Sequence, residues 1–294
     1  MIRVTNLSYT FKEGRAPALR NIKLEINEGE YVALIGPNGS GKTTLIRHFN
    51  ALIMPESGRV EIDGRSCRDT GHHVDIRRAV GMAFQNPDNQ IVGMTVEEDV
   101  AFGPGNLNLP PAEIRSRVAS ALDMVGLTGF EKRTPFSLSG GEKQLLALAG
   151  LLAVSPRYIV LDEVTASLDP TARANVLAIL ERLQAQGVSI VHVTHNLEEA
   201  AKADRVVLMN AGEIVADGPP GEILTDGERL KSVGMAPPTV VELMSRIMTP
   251  GVRRPGHILT LDQAAEFINS CLAGAGYEPG QDQGQGQPVL REAE

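Results

Sequence analysis

Residues 36–43 read Gly-Pro-Asn-Gly-Ser-Gly-Lys-Thr, set between an apolar run, Tyr31 to Ile35, and a helix-like stretch, Thr44 to Ile53. This is the G-x-x-x-x-G-K-[ST] pattern in the strand–loop–helix setting that gives it meaning. Gly36, Gly39 and Gly41 let the backbone curl until several N–H groups converge on one anion, and the helix behind adds the positive end of its dipole. Lys42 is placed to reach the β- and γ-phosphates of a nucleotide, and the Thr43 hydroxyl to hold Mg²⁺. Asn38, Ser40 and Thr44 complete the loop. Such a loop needs a buried strand in front and a helix behind, which commits the chain to an α/β core.

The remaining pattern agrees. Strand-like runs recur at Val4 to Phe11, Ile22 to Ile26, Arg59 to Ile62, Val80 to Phe84, Tyr158 to Leu161, Ser189 to Val193, Arg205 to Met209 and Glu213 to Ala216. Several are continuous and aliphatic, as in parallel strands covered on both faces. Residues 87–155 differ: Pro111 to Val125 and Glu142 to Val154 have helical spacing, which predicts a helical insertion within the α/β core. Thr171 to Gln186 reads as a helix ended by Gly187. After Gly221 the character changes again, and Pro237-Pro238 leads into an extension. Thr239 to Met248 is amphipathic, its Val240, Leu243, Met244, Ile247 and Met248 needing a surface to cover them. A Pro/Gly-rich linker, 250–256, follows, and Thr260-Leu-Asp-Gln263 is a capping box opening a helix to about Ala273. Residues 276–294 are rich in Gly and Gln and read as a disordered tail.

Composition narrows the role. Aromatics make up only 4% of the chain and Trp is absent, so the core must be aliphatic. A net charge of -8 argues against broad nucleic-acid binding. Cys67 and Cys271 have no metal-ligand spacing and fit a reduced interior. The first residues lack the apolar core of a signal peptide, and the longest apolar stretch, Leu145 to Val154, is too short to span a bilayer. A role in a membrane process would therefore be peripheral.

Two further groups carry chemistry. Tyr158 to Leu161 lead into Asp162-Glu163, and a carboxylate at the C-terminal end of a buried strand is where an α/β sheet puts its site. Asp162 suits Mg²⁺, directly or through water, and Glu163 could polarise a water toward the γ-phosphate. An acidic helix start is the plainer alternative, which the upstream phosphate loop outweighs. Leu138-Ser-Gly-Gly-Glu142 precedes a helix. Ser139 and the N–H groups of Gly140 and Gly141 can bind a phosphate, while Ser139-x-x-Glu142 also forms a capping box.

With these residues the chain resembles the ABC ATPases, whose signature is LSGGQ followed by a helix. The resemblance spans residues 1 to about 230, and the family order continues through it. Gln85 matches the glutamine that senses Mg²⁺ and contacts the membrane partner. Ser167-Leu168-Asp169 matches the D-loop. His195, in Val-Thr-His-Asn, matches the switch histidine near the γ-phosphate. Phe11 is the aromatic expected to stack on adenine, with Tyr9 as the alternative. Glu142, Leu145 and Val164 depart from the usual Gln, Arg and Pro. The resemblance implies a P-loop NTPase core (1–234) with a mainly parallel sheet, an antiparallel β subdomain and the helical insertion, followed by a small helical extension (235–275). It also implies ATP and Mg²⁺ as cofactors and a working dimer. Each ATP would lie between Lys42 of one subunit and Ser139 to Gly141 of the other, the second subunit being the same or a related chain.

Gln85-Asn-Pro-Asp-Asn-Gln-Ile-Val92 and Thr95-Val-Glu-Glu-Asp-Val-Ala-Phe-Gly-Pro104 resemble the energy-coupling factor importers of cobalt and vitamins. That group implies a peripheral ATPase on the cytoplasmic face of the cell membrane. Its transmembrane T component would dock near Glu97, Glu98 and Asp99 through arginines, and the substrate-binding membrane component would be engaged indirectly. A solvated acidic helix start is the alternative for the triplet. A soluble ABC ATPase acting on nucleic acid or ribosomes is the alternative for the whole chain. No feature identifies the cargo, and His72-His73 reads as an exposed turn.

Overall fold

The computed structural model of the protein describes residues 1–12, 16–166, 168–247 and 258–272. The tail 276–294, the linker 250–256, Met248 and Ser167 lie outside the described residues.

Two sheets organise the chain. The first is antiparallel, in the order β2 (Leu19–Ile26), β1 (Ile2–Tyr9), β4 (Ser57–Ile62), β5 (Arg65–Ser66). The second runs β10 (Glu213–Gly218), β9 (Arg205–Asn210), β3 (Tyr31–Ile35), β8 (Ser189–Val193), β7 (Tyr158–Asp162), β6 (Val80–Ala83). All its pairings are parallel except β9 with β10. Every residue of β3, β7 and β8 is buried. That is the cause of their unbroken aliphatic runs: both faces of the strand are covered, so neither face needs polar residues.

The two faces feed two cores. From β3, Tyr31, Ala33 and Ile35 enter one cluster, while Val32 and Leu34 enter the other. The second cluster joins the antiparallel sheet to α1 (Lys42–Phe49) through Leu45, Ile46 and Phe49. The first holds the helical segment: α3 (Val96–Asn106), α4 (Pro111–Met124) and α5 (Gly140–Val154). Before it, α2 (His73–Ala79) follows a short turn, so His73 opens a helix rather than sitting in a plain turn. After it come α6 (Pro170–Ala185), α7 (Leu197–Ala200), α8 (Pro220–Ile223) and α9 (Gly227–Ser232).

The extension forms α10 (Thr239–Ile247) and α11 (Leu261–Leu272). Val240, Val241 and Met244, with Ile258, Leu259, Ala264 and Phe267, are buried in the first core. The amphipathic face is thus largely covered by the chain itself, although Leu243 stays exposed.

Candidate active site

β3 delivers the phosphate loop and α1 backs it. Gly36, Gly39 and Gly41 all take positive φ, at 149°, 77° and 102°. A Cβ on Gly36 would stand 2.2 Å from the Met209 carbonyl oxygen, and one on Gly41 would stand 2.7 Å from that of Ala18. Both positions therefore require glycine on steric grounds as well as for φ. The loop is also tied from behind, Gly212 N–H donating to the Ser40 carbonyl at 3.0 Å. The Ser40 side chain is buried, and its Oγ has no hydrogen-bond partner among the described residues.

Lys42 is buried, its Nζ donating to the carbonyls of Gly36 at 2.7 Å and Pro37 at 3.0 Å. Burial pulls its pKa down, and the carboxyls of Glu163 and Asp162 push it back up. Thr43 Oγ1 donates to Asp162 Oδ1 at 3.2 Å, joining the start of α1 to the end of β7. Burial raises the pKa of Asp162, the Thr43 hydroxyl lowers it and Glu163 raises it again. Two hard oxygen donors set together in this way suit Mg²⁺, which takes one or two protein ligands and completes its shell with phosphate and water. The orphaned Ser40 hydroxyl and the Gly36 cradle suit phosphate oxygens.

Glu163 has φ 55°, in the left-handed region, and its N–H donates to the Val193 carbonyl at 3.0 Å. A non-glycine residue there is held by its surroundings at some cost in backbone energy. The result is that Glu163 Oε1 stands 2.6 Å from His195 Nε2. Phe11, Ala18, residues 38–44 and Glu163 line one cavity of about 260 Å³. Phe11 packs edge-on against Tyr9 at 5.1 Å, and Tyr9 against His48 at 5.2 Å. Of the two aromatics, Phe11 faces the cavity and Tyr9 stands behind it.

A larger cavity, of about 1170 Å³, shares no residue with this one. It is lined by the carboxyls of Glu222, Asp226, Glu228 and Glu242 against a single cation, Lys231. That charge balance is wrong for a triphosphate.

The other expected residues stand apart from the cavity. Ser139 caps α5 in a complete capping box: its Oγ accepts from Glu142 N–H at 3.3 Å, and its own N–H donates to Glu142 at 2.7 Å. Glu142 therefore serves where the family has Gln. A Cβ on Gly141 would meet Leu168 at 3.6 Å, so the signature abuts the D-loop. Asp169 caps α6, accepting from Thr171 and Ala172 N–H at 2.9 and 3.0 Å. Leu145 packs on the first core and Val164 lies within it, which accounts for apolar residues at both positions. Gln85 is exposed two residues past β6.

Residues outside the nucleotide motifs support this arrangement, and nothing in the sequence singles out Gln90 and Lys143 among them. Gln90 clamps the loop carrying Gln85, accepting from Phe84 N–H at 2.8 Å and donating to the Met82 carbonyl at 3.1 Å. Lys143 of α5 reaches Asp88 in the same loop at 2.7 Å. Asp99 is buried, and its Oδ1 accepts from the N–H groups of Val92 and Gly93 at 2.7 and 2.9 Å. Its carboxyl is thus buried, unlike those of its neighbours, and does not face a partner as the sequence reading of the acidic triplet expected. Glu98 completes the capping box of α3 from an exposed position, and Glu97 pairs with Lys132. The Cys67 thiol is pushed up to about 12 by burial, which makes it unreactive. Among the described residues no cluster of three or more His, Cys, Asp or Glu could hold a metal.

Comparison with known proteins agrees with the geometry. The profile of the ABC transporter family matches residues 19–166. The chain is 48% identical to a cobalt import ATP-binding protein, CbiO, of Syntrophus aciditrophicus, over 91% of this chain and 96% of the relative. It is 48% identical to the energy-coupling factor transporter ATP-binding protein EcfA of Methanosarcina acetivorans, over 87% of this chain and 92% of that one. Among solved structures, cbiO1 from Clostridium perfringens, part of an ABC transporter complex, aligns with a TM-score of 0.72 at 34% identity, covering 83% of this chain and 98% of that chain. A dimeric ATP-binding cassette bound to ADP and Pi aligns with a TM-score of 0.69 at 32% identity, covering 75% and 99%.

Proposed function

The chain belongs to the ABC transporter ATPase family, and on that premise we propose that it hydrolyses ATP as the peripheral subunit of an energy-coupling factor importer for a metal ion or vitamin. The observation that carries the chemistry is the cavity in which Glu163 faces the phosphate loop across from Lys42 and Thr43. A cassette acting on nucleic acid finds no support in the relatives or in the acidic charge.

The loop N–H groups and Lys42 bind the phosphates, and Phe11 stacks on the base. Asp162 and Thr43 would hold Mg²⁺, with Gln85 completing the metal's surroundings. When bound, the metal neutralises charge on the β- and γ-phosphate oxygens. Glu163 accepts the proton of the attacking water, and His195, in contact with Oε1, fixes the orientation of that carboxyl. Ser139, Gly140, Gly141 and Asp169 are exposed or partly exposed and do not line the cavity that Lys42 faces, which supports their completing the site of a second subunit.

The surface around α3 supports docking of a membrane component. Val92, Met94 and Phe102 are exposed apolar side chains beside the outward-facing Glu97 and Glu98. Among the described residues no helix is long and apolar enough to cross a membrane. Attachment at the cytoplasmic face would therefore come through such a partner.

The test is Glu163→Gln in the full chain. ATP binding should persist while turnover falls by at least about a hundredfold, the scale of general-base effects. Turnover near the wild-type rate would remove Glu163 from this role.

A further inference from the structure

Behind the Glu163–His195 pair lies a second cavity, of about 310 Å³, lined by Glu163, Thr165, Arg173, Thr194, His195 and Glu199 among others. Glu199, on α7, is 3% exposed and does not line the phosphate-loop cavity. Its Oε2 accepts two hydroxyl hydrogen bonds, from Thr165 at 2.8 Å and Thr194 at 2.7 Å. Its Oε1 stands 3.5 Å from Arg173 Nε, and a second nitrogen of Arg173 donates to the Leu168 carbonyl at 3.4 Å.

These partners have a common property. Thr165 is two residues past Glu163, and Ala166 N–H closes that turn on the Glu163 carbonyl at 3.1 Å. Thr194 precedes His195, and its Oγ1 also accepts from Asn196 N–H at 3.0 Å, so His195 is bracketed on both sides. Arg173 lies in the first turn and a half of α6, the helix that Asp169 caps. One buried carboxyl therefore joins the three chain segments that carry Glu163, His195 and Asp169. A buried carboxyl that accepts two hydroxyl hydrogen bonds beside one guanidinium is costly to desolvate and strongly directional, so it fixes geometry more than it adds stability. His192, fully buried one strand residue before Val193, stands behind Glu199: its Nδ1 is 3.0 Å from the Tyr31 hydroxyl, while its Nε2, 3.6 Å from Glu199, makes no hydrogen bond among the described residues.

Resting on the role proposed for Glu163, we infer that Glu199 is a positioning residue for hydrolysis. Through Thr165 and Thr194 it holds the Glu163 carboxyl and the His195 ring in contact, and through Arg173 it couples that pair to the helix that presents Asp169 to the second subunit. Glu199 acts without touching nucleotide.

The experiment uses the full chain with Thr165→Val, Thr194→Val, their combination, Glu199→Gln and Glu199→Ala, each also made in the Glu163→Gln background. The valines remove the hydroxyls at nearly constant volume. Each should lower kcat by roughly five- to fiftyfold with KM for ATP changed by less than about twofold, and the combination should lose little more than the worse single change, as expected of groups acting as a unit. Glu199→Gln, which keeps an oxygen for both hydroxyls, should retain more turnover than Glu199→Ala. In the Glu163→Gln background the valines should cost nothing further. Wild-type kcat in both single valine variants, or an equal proportional loss in the Glu163→Gln background, would overturn the inference. Fast turnover by Glu163→Gln alone refutes the underlying role of Glu163; slow turnover there with fast valine variants refutes only the positioning role.

Discussion

Asp162 is held in a place that suits a metal better than it suits the residue. Burial raises its pKa above the ordinary 3.8, the Thr43 hydroxyl pulls it down, and adjacent Glu163 raises it again. Below 3.8 the group is neutral in both the folded and the unfolded chain. As pH rises from there through the higher folded value, the unfolded chain gives up a proton that the folded chain retains. Folding stability from this group therefore falls across that window and stays lower at neutral pH. Asp162→Asn removes the charge but keeps an oxygen for Thr43. It should raise the nucleotide-free Tm at pH 7 and remove the fall in stability that this group causes as pH rises from the acid side, while Mg²⁺-dependent nucleotide binding is lost. A lower Tm in calorimetry would show that the charge is better solvated than its burial implies. Lys42, Thr43 and Asp162 were legible in the sequence because each sits in a short local pattern whose spacing is the chemistry. Glu199 was not, and Asp99 reads in the sequence as part of an outward docking triplet. Each looks like an ordinary acid in the first turn of a helix, and only contacts made elsewhere in the chain bury it.

Among the elements, α3 departs most from local expectation. Gly103, Pro104 and Gly105 lie within it, and intrinsic preference counts against all three in a helix. Packing decides otherwise: a Cβ on Gly103 would stand 2.5 Å from Val154 of α5, so the glycine permits the close approach. The long aliphatic strands and α4, α5 and α6 were legible because their period or continuity is strong, whereas short α2 and the breaker-laden α3 depend on tertiary contacts. The N-terminal end of α3 divides its labour. Asp99 secures the turn at Val92 and Gly93, and Asp99→Ala should cost about 1–3 kcal/mol in denaturant unfolding by leaving two amides without an acceptor. Glu97 and Glu98 face outward. Reversing both to lysine should leave the ATPase activity of the isolated chain intact, since neither lines the nucleotide cavity. Assembly with the proposed membrane component should fail, since the reversal removes the negative charge through which a basic partner is proposed to dock here. Undiminished co-purification of that component would move the docking surface away from α3.

At the scale of the molecule, the proposed pairing takes the two halves of each site from different chains. Lys42 faces a cavity that residues 139–141 do not line. A chain that must pair to work predicts complementation. Lys42→Ala and Ser139→Arg should each be inactive alone. In a mixed dimer both lesions fall in one site, leaving the other intact. Mixing them in equal amounts should restore about a quarter of wild-type activity if subunits pair at random about a two-fold axis and the sites act independently. No recovery would mean that the two sites work only together, or that the signature serves its own chain. The pairing itself was readable only through the resemblance, because no residue pattern within one chain encodes what a second chain supplies.

The bond from Gly212 N–H to the Ser40 carbonyl runs from the back of the phosphate loop to the hairpin between β9 and β10. Gly212 has φ 84°, and a Cβ there would stand 2.8 Å from the Ala18 carbonyl oxygen, so its amide is held in place without belonging to the nucleotide cavity. This makes Gly212 a native spectroscopic probe. Its hydrogen–deuterium exchange should slow when ATP orders the loop, and its amide resonance should shift, giving a label-free reading of loop engagement from a residue that no ligand touches.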